Sequence, residues 1–390
     1  MQELSEEHSA PSAGGAVPGT NAAVRLSAAR EGPDGLDPLF QAVSASAGNV
    51  PALLGLAQEA GKEWPRPGEG NTALLWELLA TVAALDVAAA RVFEPHLDAL
   101  AILAQAGHDP ARASGAWGVF AAEGAGMRLA AESNGSGVLL SGAKPWCSLA
   151  QVLDHAVVTA HTDDGGRAAF AVDLRHAGVT CEEPEWVARG LQEIPSGTVR
   201  FDRVPAEPLQ GTNWYFSRPG FAWGGMGVAA CWLGGAVGIA RDYRDSLRAG
   251  RLSGREPDQV ALASLGELDR TLTSALQYLA GTAEGIDRQG QASTEQVSTE
   301  QVPADQGPPQ QWNPGRVTPW SDALRVRATC AAAVERVMSV VGSNRGPGPL
   351  AFDRTYAKRM ADLALYVRQH HGMRDDAQLG SLTLKGDAPW

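Results

Sequence analysis

A tryptophan and a hydroxyl group two residues apart are the first side chains whose types point to chemistry. The run Lys144-Pro145-Trp146-Cys147-Ser148 ends a strand-like segment, so that an aromatic plane and a hydrogen-bonding group stand close together. An aromatic plane can cover one face of a flat redox cofactor, and a neighbouring hydroxyl can tune its charge. Core packing is the more common role of a tryptophan. The motif therefore makes Trp146 and Ser148 candidate cofactor-binding residues, and core packing stays open as the alternative.

Two adjacent histidines, His370 and His371, form a second candidate site. They fall at the end of a helical pattern that runs from about Leu350 to His371. Adjacent residues on a helix point about 100° apart, so the two rings cannot easily bind one metal ion. Favourable interaction of helix-end cations with the helix dipole accounts for such residues without catalysis. A catalytic role for either histidine stays open.

The remaining motifs are weaker. Gly225-Met226-Gly227 with Ala230 is a loose match to a dinucleotide fingerprint, but no strand-like run precedes it and no acidic residue follows at the expected distance. Four cysteines stand far apart in the sequence and offer no CxxC metal or redox pair: Cys147, Cys181, Cys231 and Cys330. We expect buried thiols in a reducing cytoplasm and no metal site.

The overall charge of the chain excludes one class of partner. The formal net charge is −12, and nucleic acid needs a basic footprint on the protein. The uncharged stretch from Pro219 to Ala240 is long enough to span a bilayer. It contains seven glycines and only three residues from Leu, Ile and Phe. These small residues favour a helix packed inside a protein, so we expect no membrane span.

The chain divides by its patterns into helical, β and helical sections. Residues 1–37 are rich in Ser, Ala, Gly and Pro and predict a flexible leader. Helical periodicity follows over 38–110, strand and hairpin patterns over 111–208, and helical periodicity again over 209–380. A polar insert at 289–319 carries a short tandem repeat and predicts a flexible loop. This order indicates an α+β protein and not a doubly wound sheet.

Local signals give element boundaries within these sections. Asn71 or Thr72 can cap a helix that carries Leu75 and Leu78 on one face. Pro95 interrupts the helical pattern, so a new helix is expected to begin near it. Asn134-Gly135 predicts a tight hairpin turn.

About residues 40 to 380 resemble the acyl-CoA dehydrogenase family. The order of helical, β and helical sections is the same. Several runs and pairs carry the resemblance, each in the expected order: Gly124-Ala125-Gly126, Gly142 to Ser148, Phe201-Asp202-Arg203-Val204-Pro205, Arg248 with Gln259 eleven residues later, and Gly342 with Arg354.

The resemblance implies an N-terminal helical domain, a middle β-barrel-like domain and a C-terminal four-helix bundle. It implies FAD in the cleft between them, partly across a subunit interface, and therefore a homodimer or homotetramer. The residues that match the family's flavin contacts are Gly124, Gly126, Trp146 and Ser148. Arg248 and Gln259 match residues that contact the FAD of a neighbouring subunit.

The chain departs from the family pattern where the chemistry would occur. In the first flavin loop, Ala121 and Met127 stand where the family has Thr and Ser. The family's catalytic Glu falls on Tyr366, or on Arg368 if the counting starts from Arg359. Neither is a carboxylate, although removal of an α-proton needs one over the α-carbon.

The resemblance implies a cytoplasmic, FAD-dependent oxidoreductase of fatty acid metabolism. It would act on the CH–CH bond of an acyl-CoA and pass electrons to an acceptor such as an electron-transfer flavoprotein. Tyr366 and His370 are the candidate catalytic residues. Two alternatives stay open, namely a reduced-flavin-dependent monooxygenase on the same fold and a catalytically inactive scaffold.

Overall fold

The structure is a computed structural model that describes residues 23–28, 35–133, 135, 137–299 and 319–387. The N-terminal helices are α1 (Asp37–Ala45), α2 (Val50–Glu63), α3 (Thr72–Leu85) and α4 (Val87–Gln105). The strands are β1 (Trp117–Phe120), β2 (Leu129–Ser133), β3 (Val138–Ser148), β4 (His155–His161), β5 (Arg167–Asp173), β6 (Val179–Cys181) and β7 (Ser196–Pro208). The C-terminal helices are α5 (Trp214–Ser217), α6 (Pro219–Leu252), α7 (Gln259–Thr299), α8 (Pro319–Arg345), α9 (Pro347–Phe352), α10 (Arg354–Tyr366) and α11 (Met373–Leu384).

The strands close into a small barrel between the two helical sections. Strands β4, β2, β3, β7 and β5 are joined edge to edge, and β5 pairs back with β4. Strand β1 lies beside β4 and β6 lies beside β7. The ring closes through one residue pair between β2 and β4 and two between β5 and β7. This arrangement confirms the predicted α+β class with a middle barrel.

Helix α6 is the central helix of the C-terminal section. It is long and apolar enough by composition to cross a membrane, yet 89% of its most apolar window is buried inside the protein. Its glycines permit direct contact with the backbone of α3. A Cβ atom on Gly234 would overlap the carbonyl of Ala80, and one on Gly238 would lie 2.7 Å from the carbonyl oxygen of Ala84. The glycines therefore serve helix packing, as their small size suggested.

One lysine joins the three sections around their common boundary. The Nζ of Lys358 on α10 lies 2.9 Å from Asp86 at the start of α4, 2.6 Å from Asp362 and 2.8 Å from Glu193 in the loop before β7. Burial opposes the charge on Lys358, but Asp86 and Asp362 outweigh it and raise the pKa of the amine. The ammonium group occupies the centre of these three carboxylates, which lie close enough together to hold a cation.

Parts of the predicted leader and of the predicted insert belong to ordered elements of the structure. Residues 23–28 pack on α3, where the backbone N–H of Val24 donates to Thr81 and that of Leu26 donates to Glu77. Both apolar side chains are buried, so this segment is part of the core. Helix α7 continues to Thr299, which places the first third of the predicted insert in a helix. Residues 1–22, 29–34 and 300–318 lie outside the described residues.

Two expected boundaries differ in the N-terminal section. Helix α4 runs through Pro95 without ending, and its true start is Asp86, whose side chain accepts a hydrogen bond from the N–H of Ala89. At the start of α3, the side chain of Asn71 makes no capping hydrogen bond. The carboxylate of Asp287 on α7 accepts from the N–H of Thr72 instead. A cap supplied from more than two hundred residues away cannot be recognised in a local sequence pattern.

The close contact between α3 and α6 gives a test of the packing. Replacing Gly234 by Ala should force the helices apart and destabilise the protein by about 1–3 kcal/mol or more. The matched control is Gly266→Ala on the exposed face of α7, where a new Cβ would meet nothing within 4 Å. That change should stabilise the helix by about 0.5–1 kcal/mol. Chemical denaturation measures both, and equal effects of the two substitutions would contradict this packing.

Candidate active-site cleft

A cleft of about 790 Å³ opens where the three sections meet. Its walls come from α4, from β1 and the loop after it, from β3, and from the segment before β7. Helix α6 contributes Val228, and the end of α10 with the turn that follows it closes the remaining side. A cavity of this size at a domain boundary is typical of a binding site for a small molecule or cofactor.

Trp146 projects into this cleft because β3 carries a bulge. The register with β7 shifts between Lys144 and Cys147, and Trp146 adopts a left-handed φ of 60°. Its two flanking residues, Pro145 and Cys147, are buried, whereas Trp146 is 63% exposed. Bulges commonly re-aim a side chain beside an active site. The indole of Trp146 therefore offers a flat apolar face to whatever fills the cleft.

Ser148 lies on the same wall and belongs to a short polar network. Its Oγ lies 2.7 Å from the Oγ of Ser196 on β7, and it accepts a hydrogen bond of 3.3 Å from Nη2 of Arg91. Arg91 projects from α4 across the cleft. The network thus joins the barrel to the N-terminal section and holds hydroxyl and guanidinium groups beside the indole of Trp146.

Gly124 and Gly126 shape the loop between β1 and β2. Gly126 has a φ of 75°, and a Cβ on Gly124 would lie 2.8 Å from the ring of Pro145. The residues just before them, from Ala121 to Glu123, line the cleft. The two glycines therefore set the path of the loop at the cleft mouth. Direct contact between either glycine and a flavin stays a prediction.

The carboxylate of Glu123 anchors that loop to the barrel. It lies 2.7 Å from Nζ of Lys144, 3.0 Å from Nε2 of His161 and 3.4 Å from a guanidinium nitrogen of Arg167. Desolvation opposes ionisation of Glu123, but the hydrogen bonds with Lys144 and His161 outweigh it and lower the pKa of the carboxyl. Burial lowers the pKa of the Lys144 amine, and its hydrogen bond with Glu123 opposes that shift. The cluster ties the loop to the strand from which Trp146 projects.

Arg248 and Gln259 lie away from the cleft. Arg248 is exposed near the end of α6, where it pairs with Asp245 at 3.4 Å. Gln259 is exposed at the start of α7. Neither side chain lines the cleft of its own chain, which is compatible with the expected contact to a neighbouring subunit. That contact stays a prediction.

Tyr366 lines the cleft but is a poor base. The residue is 1% exposed, and the guanidinium carbon of Arg91 lies 5.1 Å from the centre of its ring. Burial, reinforced by nearby Cys231 and Glu94, raises the pKa of the phenol well above its usual range. The hydroxyl therefore stays protonated at neutral pH, and Tyr366 can act only as a hydrogen-bonding or packing residue there.

The two histidines do not sit on a long helix as expected. Helix α10 ends at Tyr366, and a short 3₁₀ turn precedes His370. The ring of His370 is largely buried with its Nδ1 3.2 Å from Asp375, and it does not line the cleft. The neighbouring His371 lines the cleft and is exposed. The geometry thus replaces His370 by His371 as the candidate.

A polar stripe on α4 was missed by the sequence analysis. Arg91, Glu94 and Asp98 recur at helical spacing and line the cleft. Burial raises the pKa of Glu94 to about 7, although Arg91, whose guanidinium lies 2.8 Å away, acts in the opposite direction. Burial also raises the pKa of Asp98. The available signal was three charged residues on one face of an otherwise apolar helix, since such residues are rarely buried without a function.

One part of the chain matches a known protein family in sequence. Residues 120–204 match the family model described as acyl-CoA dehydrogenase, middle domain. These residues contain most of the barrel, including β3 with Trp146. The chain has no significant match among curated protein sequences.

Several solved structures share the fold at low sequence identity. The nitrososynthase from Micromonospora carbonacea var. africana has 19% identity and a TM-score of 0.65, over 84% of this chain and 89% of that one. The FMN-bound TdsC from Paenibacillus sp. A11-2 has 16% identity and a TM-score of 0.69, over 90% and 98%. The butyryl-CoA dehydrogenase from Megasphaera elsdenii has 14% identity and a TM-score of 0.64, over 89% and 88%.

These similarities cover the helical sections as well as the barrel. They show that the fold is shared beyond the barrel. Residues 120–204 therefore match the acyl-CoA dehydrogenase middle domain, and the chain has an acyl-CoA dehydrogenase-like fold over 89% of its length.

Proposed function

We propose that this protein is a flavin-dependent oxidoreductase whose cleft holds the flavin ring against Trp146. The observation that carries the proposal is the exposed indole, which a strand bulge presents to a cleft of about 790 Å³ between three sections of the chain. The exposed face of the Trp146 indole is apolar surface in the lining of the cleft, and it has no apolar side chain packed on it among the described residues. The planar face of an isoalloxazine ring would supply such a packing partner.

The polar groups near Trp146 fit a flavin as well. The hydroxyls of Ser148 and Ser196 and the guanidinium of Arg91 form one connected network on the cleft wall. They can donate hydrogen bonds to the electron-rich nitrogen and carbonyl atoms of a bound ring. The expected cofactor was FAD. The neighbour TdsC is described with FMN, so both flavins are candidates for this cleft.

Of the two reactions that the sequence left open, we propose oxygenation. When bound, a reduced flavin supplies two electrons to O₂, so that one oxygen atom enters an organic substrate and the other leaves as water. For this reaction the chain must exclude bulk water from the cleft and provide groups that transfer protons. Phe120, Leu153 and Leu365 give the cleft apolar walls, and the exposed ring of His371 can donate or accept a proton at its mouth.

Tyr366 is the main argument against acyl-CoA dehydrogenation. It stands where that reaction would need a carboxylate, and its buried phenol stays protonated. Oxygenation by reduced flavin needs no carboxylate to remove an α-proton.

Dehydrogenation of an acyl-CoA remains the second candidate because of Glu94. This carboxyl lines the cleft, and its pKa of about 7 suits a general base. It forms an ion pair of 2.8 Å with Arg91 on the same helix, which also lines the cleft. For this candidate an electron-transfer flavoprotein would be the expected acceptor, with fatty acid metabolism as the setting and a homodimer or homotetramer as the assembly.

Two assays on one preparation separate these reactions. Flavin-loaded protein is mixed anaerobically with butyryl-CoA and longer acyl-CoAs, and flavin absorbance is followed. In parallel, the protein is supplied with reduced FMN or reduced FAD, and O₂ consumption is compared with that of the free reduced flavin. We expect no bleaching by any acyl-CoA and a change in the O₂ reaction that depends on the protein. Bleaching that disappears in Glu94→Gln would reverse the assignment in favour of dehydrogenation.

The raised pKa of Glu94 also predicts a pH-dependent stability. The folded carboxyl holds its proton up to about pH 7, whereas the ordinary pKa of a glutamate carboxyl is 4.5. Glu94 therefore favours the folded state below about pH 4.5, and this contribution is lost as the pH rises toward 7. Relative to Glu94→Gln, the wild-type protein should gain up to about 3 kcal/mol between pH 8 and pH 4.5. Parallel pH profiles of unfolding free energy for the two proteins would show that the carboxyl titrates normally.

A further inference from the structure

A small chamber lies behind the cleft and shares two side chains with it. The chamber has a volume of about 30 Å³ and is bounded by the end of α2 and the loop after it, by α3, by α4 and by α6. Glu94 and Asp98 belong to both the chamber wall and the cleft wall. A space of this size holds one or two groups as large as a water molecule.

Two buried donors line the chamber without a hydrogen-bond partner among the described residues. They are the indole Nε1 atoms of Trp76 on α3 and Trp223 on α6. Trp76 is 0% exposed and Trp223 is 8% exposed. Nε1 of Trp76 lies 3.5 Å from the Cβ position of Gly227, a residue that also lines the chamber. Buried donors in folded proteins are nearly always paired, so these two require an acceptor inside the chamber.

Asp98 offers an acceptor on the same wall. No hydrogen bond or ion pair connects its carboxylate to another described residue; burial raises the pKa of this carboxyl, and Arg218 opposes the shift. The carboxylate packs against α6, where its Oδ1 lies 2.7 Å from the place that a Cβ on Gly224 would occupy. A larger residue at this position would displace the carboxylate. The chamber therefore presents two free donors and one free acceptor in an otherwise apolar lining that includes Leu75 and Leu79.

We propose that the chamber receives a hydroxyl group of the substrate, which makes the substrate a molecule that carries an alcohol group. A hydroxyl can donate to Asp98 and accept from an indole N–H at the same time. An ammonium group can only donate, and the end of an acyl chain can do neither. A straight fatty acyl chain would leave all three polar groups unpaired. That the bound molecule is a substrate depends on the proposed flavin chemistry. The binding of a hydroxyl group in the chamber does not depend on it.

The test uses the full-length chain, three probes of equal chain length and the indole signals of the protein. The probes are 1-hexanol, hexylammonium and 1-chlorohexane, which end in a hydroxyl, a cation and an apolar atom. Indole N–H resonances of ¹⁵N-tryptophan-labelled protein are followed during each titration, and those of Trp76 and Trp223 are assigned from Trp76→Phe and Trp223→Phe. We expect 1-hexanol to shift at least one of these two signals and to bind at least about tenfold more tightly than 1-chlorohexane.

Substitution of Asp98 then tests the acceptor. Asp98→Leu should bring the affinities for 1-hexanol and 1-chlorohexane to within about twofold of each other, because the acceptor is lost. Asp98→Asn keeps a carbonyl oxygen and should retain part of the preference, which also covers the case that Asp98→Leu does not fold. Asp376→Leu, at an exposed acidic position on α11, is the matched control and should leave the preference unchanged.

Three outcomes would overturn the proposal. Equal affinity for 1-hexanol and 1-chlorohexane would mean an apolar subsite. Tighter binding of hexylammonium would mean a cation site, and shifts of neither indole by any probe would mean that the chamber holds only water. None of these readouts involves flavin or turnover. A failure here therefore leaves the flavin proposal standing, and a chain that binds no flavin can still pass this test.

Discussion

The ion cluster centred on Lys358 is the contact on which the geometry of the cleft depends. One ammonium group joins Asp86 at the start of α4, Glu193 in the segment before β7, and Asp362 on its own helix. Asp362 also accepts a hydrogen bond of 2.6 Å from the N–H of Leu191, a residue that lines the cleft. The cluster therefore fastens a helix of the N-terminal section, a barrel loop and a C-terminal helix at one point. Each of these carboxylates has the Lys358 ammonium as an ion-pair partner, and a buried carboxylate without such a partner would be costly.

The cluster brings a barrel wall and a helical wall together at the cleft, and the two walls differ in polarity. Its barrel wall carries Trp146, a flat apolar surface beside a short network of hydroxyls. Its helical wall carries the stripe that begins at Arg91 and continues through Glu94 to Asp98. A cofactor ring placed on the indole would share the cleft with these charged side chains. A lining with several hydrogen-bonding groups suits a polar substrate better than a long apolar chain.

The sequence predicts the architecture well because periodicity reports which faces of helices and strands are buried. The order of helical, β and helical sections follows from it, and so does the α+β class. The barrel and the role of Trp146 and Ser148 at the cleft were implied by the family resemblance. Contacts between distant segments leave no such local signal. The cap that Asp287 gives to α3 and the cluster around Lys358 both join residues more than one hundred and sixty positions apart. The position of His371, not His370, at the cleft depends on where α10 ends.

In the proposed site, the indole of Trp146 covers one face of a bound flavin. Titration of FMN and FAD into the wild-type protein and Trp146→Ala, followed by quenching of flavin fluorescence, tests this contact. The control is Phe352→Ala, which removes an aromatic ring that is 92% exposed on α9 and does not line the cleft. We expect one flavin to bind and Trp146→Ala to weaken its binding at least about tenfold, while Phe352→Ala has no effect. Equal affinity in the wild-type protein and Trp146→Ala, or no binding of either flavin, would contradict this expectation.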